Sequence, residues 1–145
     1  IIGCQPEIDG TLDFVEIYGF LNKAKPDEMK TIEELYRKAH FFVMPSIAEC
    51  YGIVFCEANA YGLPVVGANN GGMPTIIKEN TNGFLFDYSN YEQSLESIAD
   101  KLIEIGESRS VYLEASHKSY NEYKSRLNWE ASVGKLISEL ETISK

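Results

Sequence analysis

The sequence predicts an α/β fold, a doubly wound parallel sheet followed by a helical C-terminal tail. Three observations carry that expectation. Two short, continuously apolar runs, Phe41-Phe42-Val43-Met44 and Pro64-Val65-Val66-Gly67, have the pattern of strands buried on both faces. One short apolar helical segment lies between them, and a strand-helix-strand unit of that size implies a right-handed parallel crossover. Beyond Phe86 strand-like runs give way to apolar residues at helical spacing.

Taken in order, Ile1-Ile2-Gly3-Cys4-Gln5 reads as the end of a buried strand with nothing before it to pair with or cover it. The expectation is therefore one domain, residues 1–145, cut from a longer two-domain chain. Pro6 to Leu12 is turn-rich, and Val15-Glu16-Ile17-Tyr18-Gly19-Phe20 reads as a second strand ending at glycine. Asn22 to Lys30 is charged and carries Pro26, so it reads as loop or as the frayed start of a helix. Thr31 with Glu34 forms a capping-box pattern ahead of Ile32, Leu35, Tyr36 and Ala39, which predicts a helix of about two to three turns.

After the Pro64–Gly67 strand, Asn69-Asn70-Gly71-Gly72-Met73-Pro74 is a turn cluster leading into a short helix around Thr75 to Lys78. Asn82-Gly83 is a turn before a strand at Phe84-Leu85-Phe86. Leu95, Ile98, Ala99, Leu102 and Ile103 mark one face of a helix that stops near Gly106, and a second helix is expected from about Ser108 to Lys124. Asn128 reads as the N-cap of a third, with Trp129, Val133, Leu136, Ile137, Leu140 and Ile143 as its apolar stripe.

Bulk properties narrow the function. A net charge of -9 argues against nucleic-acid binding, which needs clustered Lys and Arg. No apolar run approaches the roughly 20 residues of a membrane span. Cys4, Cys50 and Cys56 have no metal-ligand spacing, and an odd number suits a disulfide framework poorly. With no secretory segment at the front, a reduced cytoplasmic setting is the expectation, the full-length protein being soluble or held at the inner face of a membrane.

The stretch Ser46 to Val66 carries the chemistry. A helix starting near Gly52 or Ile53 aims the N-H groups of Tyr51, Gly52, Ile53 and Val54 into the crevice beyond the strands, a site suited to a diphosphate. Gly52 lets an anion approach the backbone. Glu57 then lies one turn inside, about 6 Å along the axis, among apolar neighbours that demand a partner for its carboxylate. The two hydroxyls of a ribose suit it. Glu49, before the turn, can do the same for a hexose. Taken as a pair alone, the two glutamates read more readily as surface charges or buried salt-bridge partners, and it is the surrounding residues that favour a site.

Pro45-Ser46, Glu49, Gly52, Glu57-Ala58, Ala60, Gly62, Pro64-Val65-Val66, Gly71-Gly72 and Asn82-Gly83-Phe84-Leu85 together resemble the C-terminal, donor-nucleotide-binding domain of GT-B glycosyltransferases. More narrowly they resemble the retaining group 1 family, GT4. The likeness covers Ile1 to Phe86 well and the tail with Trp129 more loosely. It implies a Rossmann-like C-terminal half of a GT-B fold. It also implies that Glu57 holds the ribose, that Glu49 and Cys50 lie at the donor sugar, and that amides of Tyr51 to Val54 meet the diphosphate. Gly19 and Phe20 fall beside the nucleobase. Transfer of a hexosyl group from a UDP-, GDP- or ADP-sugar, with retention and without a metal or other cofactor, is the implied reaction. The acceptor and a basic Arg and Lys pair belong, on this likeness, to chain before Ile1, so residues 1–145 alone are expected to bind donor without transferring it.

The chain departs from the family's pattern in two places. Cys50-Tyr51 stands where Gly-Phe is usual, and Met73-Pro74-Thr75 where a Glu commonly follows Gly71-Gly72. Alternatives are a nucleotide-sugar epimerase of related fold and a non-catalytic doubly wound nucleotide-binding or regulatory module. Among other residues, Cys50 has no cue linking it to His40 or His117 as a nucleophile. Asp87 reads as a turn residue and His40 as a helix-end residue. Trp129 with Leu136 and Ile137 reads as core packing, and Glu130, Lys135, Glu139 and Glu141 as solvated surface.

Overall fold

The computed structural model describes every residue except Ile8, Asp9, Thr11, Ile47, Ala48 and Lys145. Parts of the expected Pro6–Leu12 turn and of the Ser46–Val66 stretch thus lie outside the described residues. The chain divides into two compact units, Ile1–Lys38 and Ala39–Lys145.

In the first unit the two expected strands shrink to a single parallel bridge between Ile2 and Gly19. Gly3 N donates to Gly19 O at 2.6 Å and Tyr18 N to Ile1 O at 2.9 Å. Gly19 sits at φ 62°, a left-handed conformation that ends any extended run there. Ile1 and Ile2 are each 47% exposed, so the opening residues are no buried strand in this unit. The helix α1 spans Pro26–Lys38, well ahead of the expected start. Pro26 opens it because a first-turn proline loses no hydrogen bond, and Asp27 and Glu28 complement the positive end of the dipole. Thr31 is interior, its Oγ1 donating to Asp27 O at 3.0 Å, so it does not cap. Ile32 is the buried residue of the helix.

In the second unit three strands form a parallel sheet in the order β1 (Phe42–Met44), β2 (Val65–Ala68), β3 (Gly83–Phe86). The pairing places Phe42 opposite Val65, and Val65 opposite Gly83. Because side chains alternate along a strand, Phe42, Val65 and Gly67 share one face and Val43, Val66, Phe84 and Phe86 the other. The first face meets α2 (Ile53–Ala60) and α3 (Met73–Ile76): Phe42 packs edge-on to Phe55 at 5.6 Å. A Cβ on Gly67 would lie 2.9 Å from both Phe55 and Ile77. The second face meets α4 (Tyr91–Glu107), where Tyr91 packs edge-on to Phe86 and Lys101 lies over Phe84. Helices on both faces make this the doubly wound α/β class expected.

β2 is fully buried, as its apolar run predicts. β1 is not: like β3 it is an edge of this sheet, and Val43 is 50% exposed, whereas α4 covers Phe84 and Phe86 of β3. The helix α3 starts two residues before the expected Thr75, Pro74 being tolerated in its first turn. The core is Phe55, Val65, Val66, Met73, Ile76, Ile77 and Phe86.

The tail continues with α5 (Arg109–Glu122), a wide π-type turn at Tyr123–Leu127, and α6 (Trp129–Ile143). Asn128 caps α6 as expected, its Oδ1 accepting from Ala131 N at 2.8 Å. The apolar stripe of α6 is not core in this unit. Trp129 is 76% exposed and Ile143 80%, with Leu136 and Ile137 also exposed, because periodicity shows which face is apolar and not what covers it. Asp87 is the turn residue expected, accepting from Ser89 N at 2.9 Å. The His40 ring packs on Tyr112 at 5.2 Å, which places it in ring packing where a helix-end role was expected.

Candidate functional site

The loop after β1 turns into α2 through Gly52, at φ 73° and ψ 55°. A side chain here is excluded twice over, by the left-handed backbone and by Phe55, whose ring would stand 2.7 Å from a Cβ. Gly52 O accepts from Phe55 N at 3.0 Å, and the N-cap position, a glycine, supplies no side-chain cap. The first-turn amides therefore present the positive end of an eight-residue helix at the carboxyl end of the sheet.

Phe55, Cys56, Ala58 and Asn59 form the buried face of α2. Glu57 lies on the other stripe, one turn below the exposed Ile53, and is half-buried. Tyr51 and Cys50 are exposed and Glu49 is half-buried.

The loop after β2 closes on these residues. Gly72 N donates to Glu49 O at 3.2 Å. A Cβ on Gly71 would collide with the Glu49 carbonyl, and one on Gly72 with the Cys50 carbonyl. Gly71, at φ 54°, also needs the left-handed region. The two glycines thus let one loop backbone rest directly on the other.

Burial pushes the Cys56 thiol up, although a hydrogen bond from Tyr51 and the charge of Arg126 pull it down. Tyr51 is raised as well, first by partial burial and then by Cys56. Cys56 is thus held as a neutral thiol beneath the turn. It packs as part of the buried face of α2.

The structure therefore gathers Glu49, Cys50, Tyr51, Gly52, Ile53, Val54 and Glu57 around one helix start. Gly19 and Phe20 belong to the other unit, Gly19 buried and Phe20 exposed. An open cleft of about 320 Å³ lies elsewhere, near the amino ends of β2 and β3, lined by Pro64, Gly83, Phe84, Lys101 and Lys118. It shares no residue with the α2 turn.

The family model described as glycosyl transferases group 1 matches residues 13–119. The chain belongs to the group 1 glycosyl transferases. This group 1 chain is 33% identical over 111 residues to the sulfoquinovosyl transferase SQD2 of Arabidopsis thaliana, covering 74% of this chain and 21% of that protein. It is 32% identical over 122 residues to a D-inositol 3-phosphate glycosyltransferase of Corynebacterium kroppenstedtii, covering 80% and 24%. The glycosyl transferase chain thus spans a quarter or less of these relatives. Among solved structures, Alr3699/HepE of Anabaena in complex with UDP superposes with a TM-score of 0.68 at 25% identity, over 90% of this chain and 33% of that one. The fold is accordingly the Rossmann-like part of GT-B enzymes.

Sequence reasoning missed Arg126, Glu122 and Lys78. Arg126 Nη1 donates to Thr75 O at 2.7 Å, Nη2 to Ile76 O at 2.5 Å, and Nε to Glu122. Lys78 Nζ reaches Glu122 at 3.0 Å. Glu122 and Arg126 stand four residues apart, a spacing that suits a helical ion pair, but nothing in local spacing joins either to Thr75, Ile76 or Lys78.

Proposed function

We propose that this chain is the donor-binding part of a retaining GT-B glycosyltransferase of the GT4 type. It holds a nucleotide-diphosphate sugar for transfer of the hexosyl group to an acceptor. The observation that carries the reading is the left-handed, side-chain-free turn at Gly52 feeding an uncapped helix start. Backbone amides of Tyr51 to Val54 bind the diphosphate, supported by the helix dipole. Glu57 accepts from both ribose hydroxyls, and charge-assisted bonds of this kind are among the stronger ones. Glu49, with Cys50 beside it, accepts from hydroxyls of the hexose.

The site works by orientation. With ribose, diphosphate and sugar fixed at three points, the anomeric carbon is presented in one pose, and the donor amides stabilise the negative charge that grows on the leaving diphosphate. The reading includes no metal, as the family likeness implies. Acceptor contacts and the remaining catalytic groups are assigned to the part of the relatives that this chain does not span. Transfer by residues 1–145 alone is accordingly not expected. The three free thiols fit a reducing, cytoplasmic setting, and among the described residues no helix is long and apolar enough to cross a membrane.

Calorimetry with UDP, GDP and ADP tests the reading. At least one should bind, and UDP is the first to try because a structural neighbour was solved with it. Glu57→Ala should lower that affinity about tenfold. The loss should vanish when the nucleotide lacks both ribose hydroxyls. Absence of binding by all three nucleotides at millimolar concentration would overturn the donor site, and equal affinity of the Glu57→Ala variant would remove its ribose role.

A further inference from the structure

We propose that Arg126 is a positioning residue for the donor site, bracing the Gly71-Gly72 loop from behind through α3. The inference rests on the donor-site reading for its consequence and on hydrogen bonds alone for its mechanism.

The helix α3 is a single turn of four residues, too short to hold itself by its own hydrogen bonds. Its last carbonyls lack intrahelical donors, as at any helix end. Arg126 supplies them. Its planar fork meets two successive carbonyls, Thr75 O and Ile76 O, while Glu122 fixes Nε. A lysine has no such fork. Ile76 O has a second donor in Asn82 Nδ2 at 3.0 Å, so Thr75 O is the carbonyl that leans most on Arg126.

From Thr75 the path to the site is short. Thr75 N and Oγ1 both donate to Gly72 O, at 3.0 and 2.6 Å. Gly72 N donates to Glu49 O, and Gly72 packs on the Cys50 carbonyl. Arg126 is thus three hydrogen-bond steps from Glu49, through Thr75 and Gly72. Three of its five N-H groups serve this brace, which makes it a holder of the loop.

The brace is itself held. Arg126 lies in the π-type turn Tyr123–Leu127, a rare geometry that tends to occur at functional places. Asn128 Nδ2 fixes the turn by donating to Tyr123 O and Lys124 O, both at 2.8 Å. The side chains of Arg126 and Glu122 are 26% and 15% exposed, which limits screening.

The test compares Arg126→Ala and Arg126→Lys with Arg109→Ala, an exposed arginine at the start of α5. UDP affinity is measured by calorimetry and backbone amide exchange by mass spectrometry. Both Arg126 variants should bind UDP about tenfold more weakly and exchange faster at Gly71 to Thr75, with no rescue by lysine. The Arg109 variant should match the parent. Unchanged UDP affinity in Arg126→Ala overturns the proposal. If the parent protein binds GDP or ADP instead of UDP, the same comparison is made with that nucleotide; if it binds none of the three, the donor-site reading fails, and exchange then decides the brace separately: unchanged exchange at Gly71 to Thr75 overturns it. Should Arg126→Ala not fold, Thr75→Val breaks the same path at Thr75 Oγ1 and must give the same faster exchange at Gly72.

Discussion

The two ends of the parallel sheet handle their polar groups in opposite ways. At the amino end, Asn59, Asn82 and Ser119 are wholly buried and bonded to one another and to backbone. Asn82 Nδ2 donates to Asn59 Oδ1 at 2.7 Å, Asn82 Oδ1 accepts from Lys78 N at 2.7 Å, and Ser119 Oγ donates to Asn82 O at 3.2 Å. At the carboxyl end the start of α2 is left uncapped, beside glycines that clear space for backbone. One end uses its polar groups to hold the fold. The other, on the proposed reading, keeps them for a nucleotide sugar, and on that reading stability and binding should separate by mutation.

The largest effect should come from the amino end. Asn82→Ala removes a donor to Asn59 Oδ1, one of the two donors to Ile76 O and the acceptor of Lys78 N within a buried network, while Arg126 stays on Ile76 O. A loss of about 3 kcal/mol in unfolding free energy is expected, since unpaired buried polar groups cost roughly 1–3 kcal/mol each. Urea denaturation measures it. The protein that remains folded should bind nucleotide as the parent does, and a matching loss of affinity would show the two ends to be coupled.

Gly72→Ala reverses the pattern. Gly72 has an ordinary φ of -85°, so alanine is not strained in itself, but its Cβ would meet the Cys50 carbonyl and drive the two loops apart. Nucleotide affinity should fall about tenfold, near 1.4 kcal/mol, with a smaller change in stability. A variant that loses stability and keeps affinity would place Gly72 in the fold and out of the site.

This division also explains what the sequence could reveal. The fully buried β2 and the Gly52 turn were legible because a continuous apolar run and a glycine before an apolar helix each have a local cause. The edge position of β1 was not, since Val43 looks the same in a run whether or not a neighbour covers it. Pro26 left Asn22 to Lys30 open between loop and the frayed start of a helix, and its fixed φ suits the first helical turn, where α1 puts it. The stripe of α6 was read correctly as apolar and wrongly as buried in this unit. Glu49 and Glu57 stood out by their spacing around the turn. Arg126 had no such signal, because its partners at Thr75 and Ile76 come to it through tertiary packing.

The smallest expected effect is a pH dependence that separates the ends again. The amide and hydroxyl network of Asn59, Asn82 and Ser119 contains no titrating group. The support of α3 does. Burial pushes the Glu122 carboxyl up, but hydrogen bonds from Arg126 and Lys78, with their charges, outweigh burial and leave it below its ordinary value of 4.5. A lowered carboxyl pKa contributes stability above the unfolded value, and that contribution is lost as pH falls from about 4.5 through the folded value. Because Lys78 is half exposed, the contribution is expected to stay under about 1 kcal/mol. Glu122→Gln should therefore flatten part of the acid limb of stability while leaving the neutral plateau slightly lower. Amide exchange, corrected for its intrinsic pH dependence, should quicken at Gly71 to Thr75 on acidification before it does around Asn82. Equal quickening at both places would mean that acid acts on the whole sheet and not on the Arg126 and Glu122 support of the donor loop.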